Sequence, residues 1–159
     1  MGLDLIPQCC GCPKHPHDAN HSDDGTTHGP NEPCPFKKDN FPKGMLGTCC
    51  SLRGKIAAHE LQALGETMLA MRMYDDMRAD EAIDFAKELR VAADRLEENA
   101  RDRAKKPKGA GWNGKWNAKE QRWDWQDYST FEQAIASIRE AAVWYEKVGG
   151  LGYGVWAWY

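Results

Sequence analysis

Three things are scarce in this sequence, and each scarcity excludes a class of protein. No stretch approaches the ~20 consecutive apolar residues that a membrane-spanning helix requires. No targeting signal opens it: Met1-Gly2-Leu3-Asp4-Leu5-Ile6-Pro7 lacks a basic start, and its apolar run is too short for a signal-peptide core. Basic charge is not in excess either. Lysine and arginine number 21 against 24 acids, a net charge of −3, where a general phosphate-tracking protein carries a clear basic surplus. The expected compartment is the cytoplasm, with no membrane contact. At 159 residues the chain fits one domain, or one domain with an appended module.

Scarcity also divides the chain internally. No cysteine follows residue 50, and no tryptophan precedes residue 112. The first fifty residues hold all six cysteines, seven of the eight prolines and four of the five histidines. They read as an irregular Cys/His-rich module, 1–50, attached to a helical body, 51–159. An irregular segment of some forty residues is unusual in a compact domain unless something staples it. In a reducing compartment a cysteine cluster points to metal sooner than to disulfides.

Cys9 and Cys12 stand in C-x-x-C spacing across Gly11, a spacing at which two thiolates reach one ion. Cys34, between Pro33 and Pro35, supplies a third thiolate, and Cys49 a fourth. Four thiolates suit the tetrahedral preference of zinc, so a structural zinc on Cys9, Cys12, Cys34 and Cys49 is expected. Cys10, Cys50 and His15 are alternates. Disulfides, unliganded thiols and a four-cysteine iron–sulfur cluster draw on the same residues.

Residues 15–28 crowd His15, His17, Asp18, His21, Asp23, Asp24 and His28 together. The run resembles in outline the H-x-H-x-D-H loop of metallo-β-lactamase-like hydrolases. It departs from that loop because Asp18 directly follows His17 and His21 does not follow an Asp. A polar surface loop is the plain reading. A metal-dependent hydrolase built on this loop is one alternative function. A thiol-based redox or metal sensor using Cys9-Cys10 and Cys49-Cys50 is another.

Three helices are expected in the body. The first opens near Ser51 as cap and runs to 74–76, with Ala57, Leu61, Leu64, Met68 and Met71 on one face. His59 lies in it as a surface or packing residue. The second opens near Asp80, where Asp80, Glu81 and Asp84 sit at the positive end of the helix dipole. Its apolar stripe is Ile83, Ala86, Leu89, Ala93, Leu96 and Ala100. For the third, Ser129 and Glu132 fit a capping box, followed by the stripe Phe131, Ile135, Ile138, Ala142 and Tyr145, with Gly149-Gly150 as the stop. The aromatic tail 153–159 reads as a strand paired with 2–6, and 121–126 as a further strand. The fold class is thus mainly α: a three-helix body, a small terminal β-sheet and a metal-stapled N-terminal segment.

A Trp/Lys-rich loop, 105–128, separates the last two helices. Lys105, Lys106, Lys108, Lys115 and Lys119 lie among Trp112 and Trp116, with no acid between 104 and 119. Cations that track phosphate, interleaved with rings that stack, suit nucleic acid, a nucleotide or an acidic protein surface. Covering the helix ends is the structural use of the same tryptophans. No segment carries a catalytic signature. The leading expectation is a non-enzymatic binding or adaptor protein whose contact surface comprises Lys105, Lys106, Lys108, Trp112, Lys115 and Trp116.

Overall fold

The computed structural model describes residues 3–7, 51–101, 105–110, 113–126 and 128–158. The cysteines, the histidine loop and Trp112 lie outside the described residues, and so do the expectations placed on them. Within the described residues the chain is mainly helical, with helices α1 (Gly54–Ala63), α2 (Thr67–Arg72), α3 (Ala79–Arg101) and α4 (Phe131–Gly150). Two small antiparallel sheets accompany them. β1 (Asp4–Pro7) pairs with β4 (Val155–Trp158), and β2 (Asn113–Asn117) pairs with β3 (Arg122–Gln126).

The two strongest amphipathic patterns form the two longest helices. α3 and α4 pack antiparallel along their length: Arg90 meets Glu146, and Arg139 reaches back to Asp94 and Glu97. Every residue of the expected α4 stripe is buried. On α3, Ala86, Leu89, Ala93 and Ala100 are buried as expected, but the stripe is wider and takes in Phe85. The Phe85 ring stands edge-on to Tyr145, with centroids 4.9 Å apart. Trp144 stands edge-on to the same Tyr145 at 5.2 Å. Such T-shaped contacts suit the ring quadrupoles and add to simple burial. Alanines Ala82, Ala86 and Ala93 on one helix, and Ala141 and Ala142 on the other, are buried in the same core cluster as these rings.

The expected first helix is two. Gly65 has a φ of +91°, a left-handed conformation that glycine adopts without steric cost. The chain turns there, with the Glu66 N–H donating to the Leu61 carbonyl at 2.8 Å. α1 keeps its apolar residues inside, Ala57 and Leu61 being buried, whereas Met68 and Met71 on α2 are 73% and 61% exposed. A single helix through 51–74 would have carried both methionines on the stripe. The turn at Gly65 re-aims them.

Nor does Ser51 cap α1. It is buried, and Arg53 occupies the cap position without a side-chain bond to the helix. Residues 51–53 do another job: Leu52 exchanges two 2.9 Å backbone hydrogen bonds with Leu5. Met77 exchanges bonds with Val155 in the same way, at 2.9 and 2.7 Å. The pairing of the two ends, Asp4 opposite Trp158 through Pro7 opposite Val155, is thereby flanked on both sides. Leu5, Ile6, Leu52 and Val155 are all buried.

The last helix starts one residue later than the capping box over Ser129 and Glu132 predicts. Thr130 is the cap; its hydroxyl accepts from the Gln133 N–H at 3.2 Å, and the Gln133 side chain accepts from the Thr130 N–H at 2.8 Å. α4 runs through Gly149-Gly150, and Gly152, at φ +84°, lies just past its end. Of the stretch expected as open loop, 113–117 is a strand.

Candidate binding surface

Segment 105–128 is anchored to the body by a buried carboxylate. Glu60, on α1, is 1% exposed. It accepts a hydrogen bond from the Ser129 hydroxyl and another, at 2.8 Å, from the Ala110 N–H. The Gly109 N–H donates to the Ser129 carbonyl at 3.0 Å. Position 109 has to be glycine for this to close, because a methyl group there would overlap both the Ser129 hydroxyl and a Glu60 carboxylate oxygen. A carboxylate taken out of water needs such donors, and here they come from two points of the chain, 110 and 129, that flank the intervening ribbon.

From this knot, residues 106–108 run across the start of α4. Lys106 pairs with Glu132 at 2.5 Å and lies 5.6 Å from the centre of the Phe131 ring. The hydrogen bond from Lys106, followed by the backbone N–H of Glu132 itself, holds the Glu132 carboxyl below the usual carboxylate range. Lys108 sits 5.8 Å over the exposed Tyr128 ring. Between the two passes lies an open cleft of about 520 Å³, lined by 106–108 and 128–132.

Past the cleft, β2 and β3 form a ribbon in which Asn113 faces Gln126 and Asn117 faces Arg122. The turn is built by Asn117, whose side-chain oxygen accepts from the N–H groups of Lys119 and Glu120, each at 3.2 Å. Gln121 takes the left-handed conformation, φ 49°, that the tight turn requires. Arg122 is shared between Glu120 at 2.7 Å and Asp124 at 3.2 Å, and Asp124 also accepts from the Asn117 amide at 3.1 Å.

The expected contact residues thus fall into two groups. Lys105, Lys106 and Lys108 are exposed, the last two lining the cleft, while Lys115 and Trp116 belong to β2. His59, on α1, is half-buried and lines a separate small cleft with Met71 and Tyr74. Among the described residues no three of His, Cys, Asp and Glu gather as a metal site. Sequence reasoning missed Glu60, Ser129 and Gly109. Glu60 carried a usable signal: it falls three residues after Ala57 and four before Leu64, on the apolar side of its own helix.

No helix of the described residues is long and apolar enough to cross a membrane. Compared with models of known protein families, with curated proteins and with solved structures, the chain finds no match.

Proposed function

We propose that this chain is a binding or adaptor protein whose contact surface is the Trp/Lys-rich segment 105–128, and that its partner is anionic. One observation carries the reading. Six cations and three acids lie between residues 105 and 128, inside a chain whose net charge is −3. The segment is therefore the positive pole of a negative molecule, and opposite charge steers encounter to it. Arg122 is shared by Glu120 and Asp124 and Lys106 pairs with Glu132, which leaves Lys105, Lys108 and Lys119 as the exposed cations of the segment outside these pairs. The Glu60 knot supports the same reading, since a fixed base lowers the entropy lost when a partner docks.

In this proposal the Cys/His-rich module contributes stability through one structural zinc on Cys9, Cys12, Cys34 and Cys49. Metal analysis of protein purified without chelator tests that part; one zinc per chain is expected, and none would remove it from the reading.

The contact surface is tested by titrating the full chain with single-stranded and double-stranded oligonucleotides, ATP and polyglutamate. Salt-sensitive binding of at least one of these, weakened by the double change Lys105→Glu and Lys119→Glu, is expected. Binding of none, or binding indifferent to both charge reversals, would overturn the proposal.

A further inference from the structure

The cleft between 106–108 and 128–132 is made of two short passes of backbone that the Glu60 knot holds side by side. Pro107 stiffens the first pass, since its ring locks φ and biases Lys106 before it away from the helical region. The second pass ends in the first turn of α4. Each lysine of the first pass reaches a side chain of the second. Lys106 meets the Glu132 carboxylate at 2.5 Å. Lys108 lies 5.8 Å from the centre of the exposed Tyr128 ring and meets no carboxylate among the described residues.

The two ends of the cleft therefore differ. At one, a cation already holds a carboxylate; at the other, a cation stands over a ring and is open to an incoming anion. Glu132 shows the chemistry that Lys106 accepts in this setting. Its hold is loose, because both side chains are more than half exposed and an exposed ion pair is worth little. A carboxylate from outside can take its place.

Two observations separate the possible anions. Glu132 gives the cleft mixed sign, so a uniformly charged phosphate backbone is repelled at that end. Among the described side chains of the cleft, Tyr128 is the one exposed ring, whereas a strand of bases stacks on successive rings. A polypeptide carries its carboxylates singly on a neutral backbone, which fits two separated cations with an acid beside one of them.

Resting on the binding-surface reading above, we infer that this cleft docks an acidic segment of a partner protein, with one carboxylate on Lys108 beside the Tyr128 ring and a second displacing Glu132 from Lys106. Glu132 is then an internal competitor that occupies the second cation until the partner arrives.

The test is fluorescence anisotropy of labelled octaglutamate against the full chain, with an uncharged Gly-Ser octapeptide and dT12 for comparison. Octaglutamate is expected to bind in a salt-sensitive way, dT12 more weakly and the Gly-Ser peptide not at all. Lys108→Glu should weaken octaglutamate about fivefold or more, and Lys108→Gln less, because it removes the cation without adding an anion. Glu132→Gln should tighten binding about twofold or more, because Lys106 is released and a like charge is lost. Glu98→Gln, at an exposed acid of α3 outside the cleft, should change it little. Far-UV circular dichroism of each variant establishes that the helices persist, and Lys108→Gln keeps the test open should the charge reversal misfold. Wild-type affinity in both Lys108 variants, tighter binding of dT12 than of octaglutamate, or equal tightening in Glu132→Gln and Glu98→Gln would overturn the inference. If octaglutamate binding falls with Lys105→Glu and Lys119→Glu but not with Lys108→Glu, the cleft is refuted and the anionic contact surface stands. If no anion binds, both fall.

Discussion

The α3–α4 pair and the arm formed by residues 105–128 are held by different physics. Between the helices, buried rings and alanines interdigitate along more than five turns, and charged pairs such as Arg139 with Asp94 and Glu97 only fringe the seam. The arm rests on a few polar contacts, most of them meeting at Glu60 and Ser129, with the two-stranded ribbon beyond. A body stabilised by apolar burial unfolds as a unit. An arm stabilised by a small polar knot can open at a lower free energy than the body.

That contrast can be attacked at several points. The largest effect is expected from Trp144→Ala, which empties the most voluminous fully buried site and removes an aromatic contact with Tyr145. A loss of ~3–5 kcal/mol is expected in urea denaturation followed by circular dichroism. A loss under ~1 kcal/mol, the size of an ordinary surface substitution, would mean that the helix seam is not the seat of stability.

Next is Glu60→Ala, which leaves the Ser129 hydroxyl and the Ala110 N–H without their acceptor. The loss expected is ~1–3 kcal/mol. Its distribution matters more than its size. Hydrogen exchange should accelerate at Gly109 and Ala110 well before it does along α3 and α4, and a uniform acceleration would erase the distinction between body and arm.

A smaller effect is expected from Glu146→Gln. The hydrogen bond from Arg90 lowers the Glu146 carboxyl below its ordinary value; burial opposes this slightly, and charge attraction assists. A depressed carboxylate contributes its stability above the unfolded value of about 4.3 and loses it as pH falls through the lower folded value. Because the Glu146 side chain is 50% exposed, the contribution is under ~1 kcal/mol. Variant and wild type should therefore differ slightly in thermal midpoint at neutral pH and converge in acid. A gap that persists in acid would assign the difference to packing. Glu132, paired with Lys106 in the arm, is shifted in the same direction, but both side chains are more than half exposed.

The smallest effect is expected at the centre of the body. The Tyr145 hydroxyl is buried with no hydrogen-bond partner among the described residues, and burial pushes its acidity far out of the titratable range. Tyr145→Phe should leave stability unchanged or raise it by up to ~1 kcal/mol. A clear loss would reveal a partner for the hydroxyl elsewhere in the chain.

What was legible beforehand was whatever repeats along one element. The stripe from Phe131 to Tyr145 is periodic over four turns, so α4 and its buried face follow from spacing. The same holds for most of α3 and for the pairing of the two termini, whose apolar and aromatic runs need a partner strand. Where two local solutions were equally good, local reasoning chose wrongly. Ser129 with Glu132 and Thr130 with Gln133 both fit a capping box, and the choice fell to Thr130 while the Ser129 hydroxyl was drawn off by Glu60, sixty-nine residues away. The first helix was overextended for a related reason: Met68 and Met71 keep the helical spacing, and only the left-handed Gly65 takes them out of it.

The sequence by itself therefore determined the helical class of the body, its two principal apolar faces, the meeting of its ends and the concentration of cations and tryptophans in 105–128. These follow from composition and periodicity, which act over a few residues. Tertiary structure decided the split of the first helix, the burial of Glu60 beneath the arm and the register that sets position 116 opposite 123 in the ribbon. Each of these depends on a turn or a register, and a shift of one residue would have moved every side chain of a strand to the opposite face.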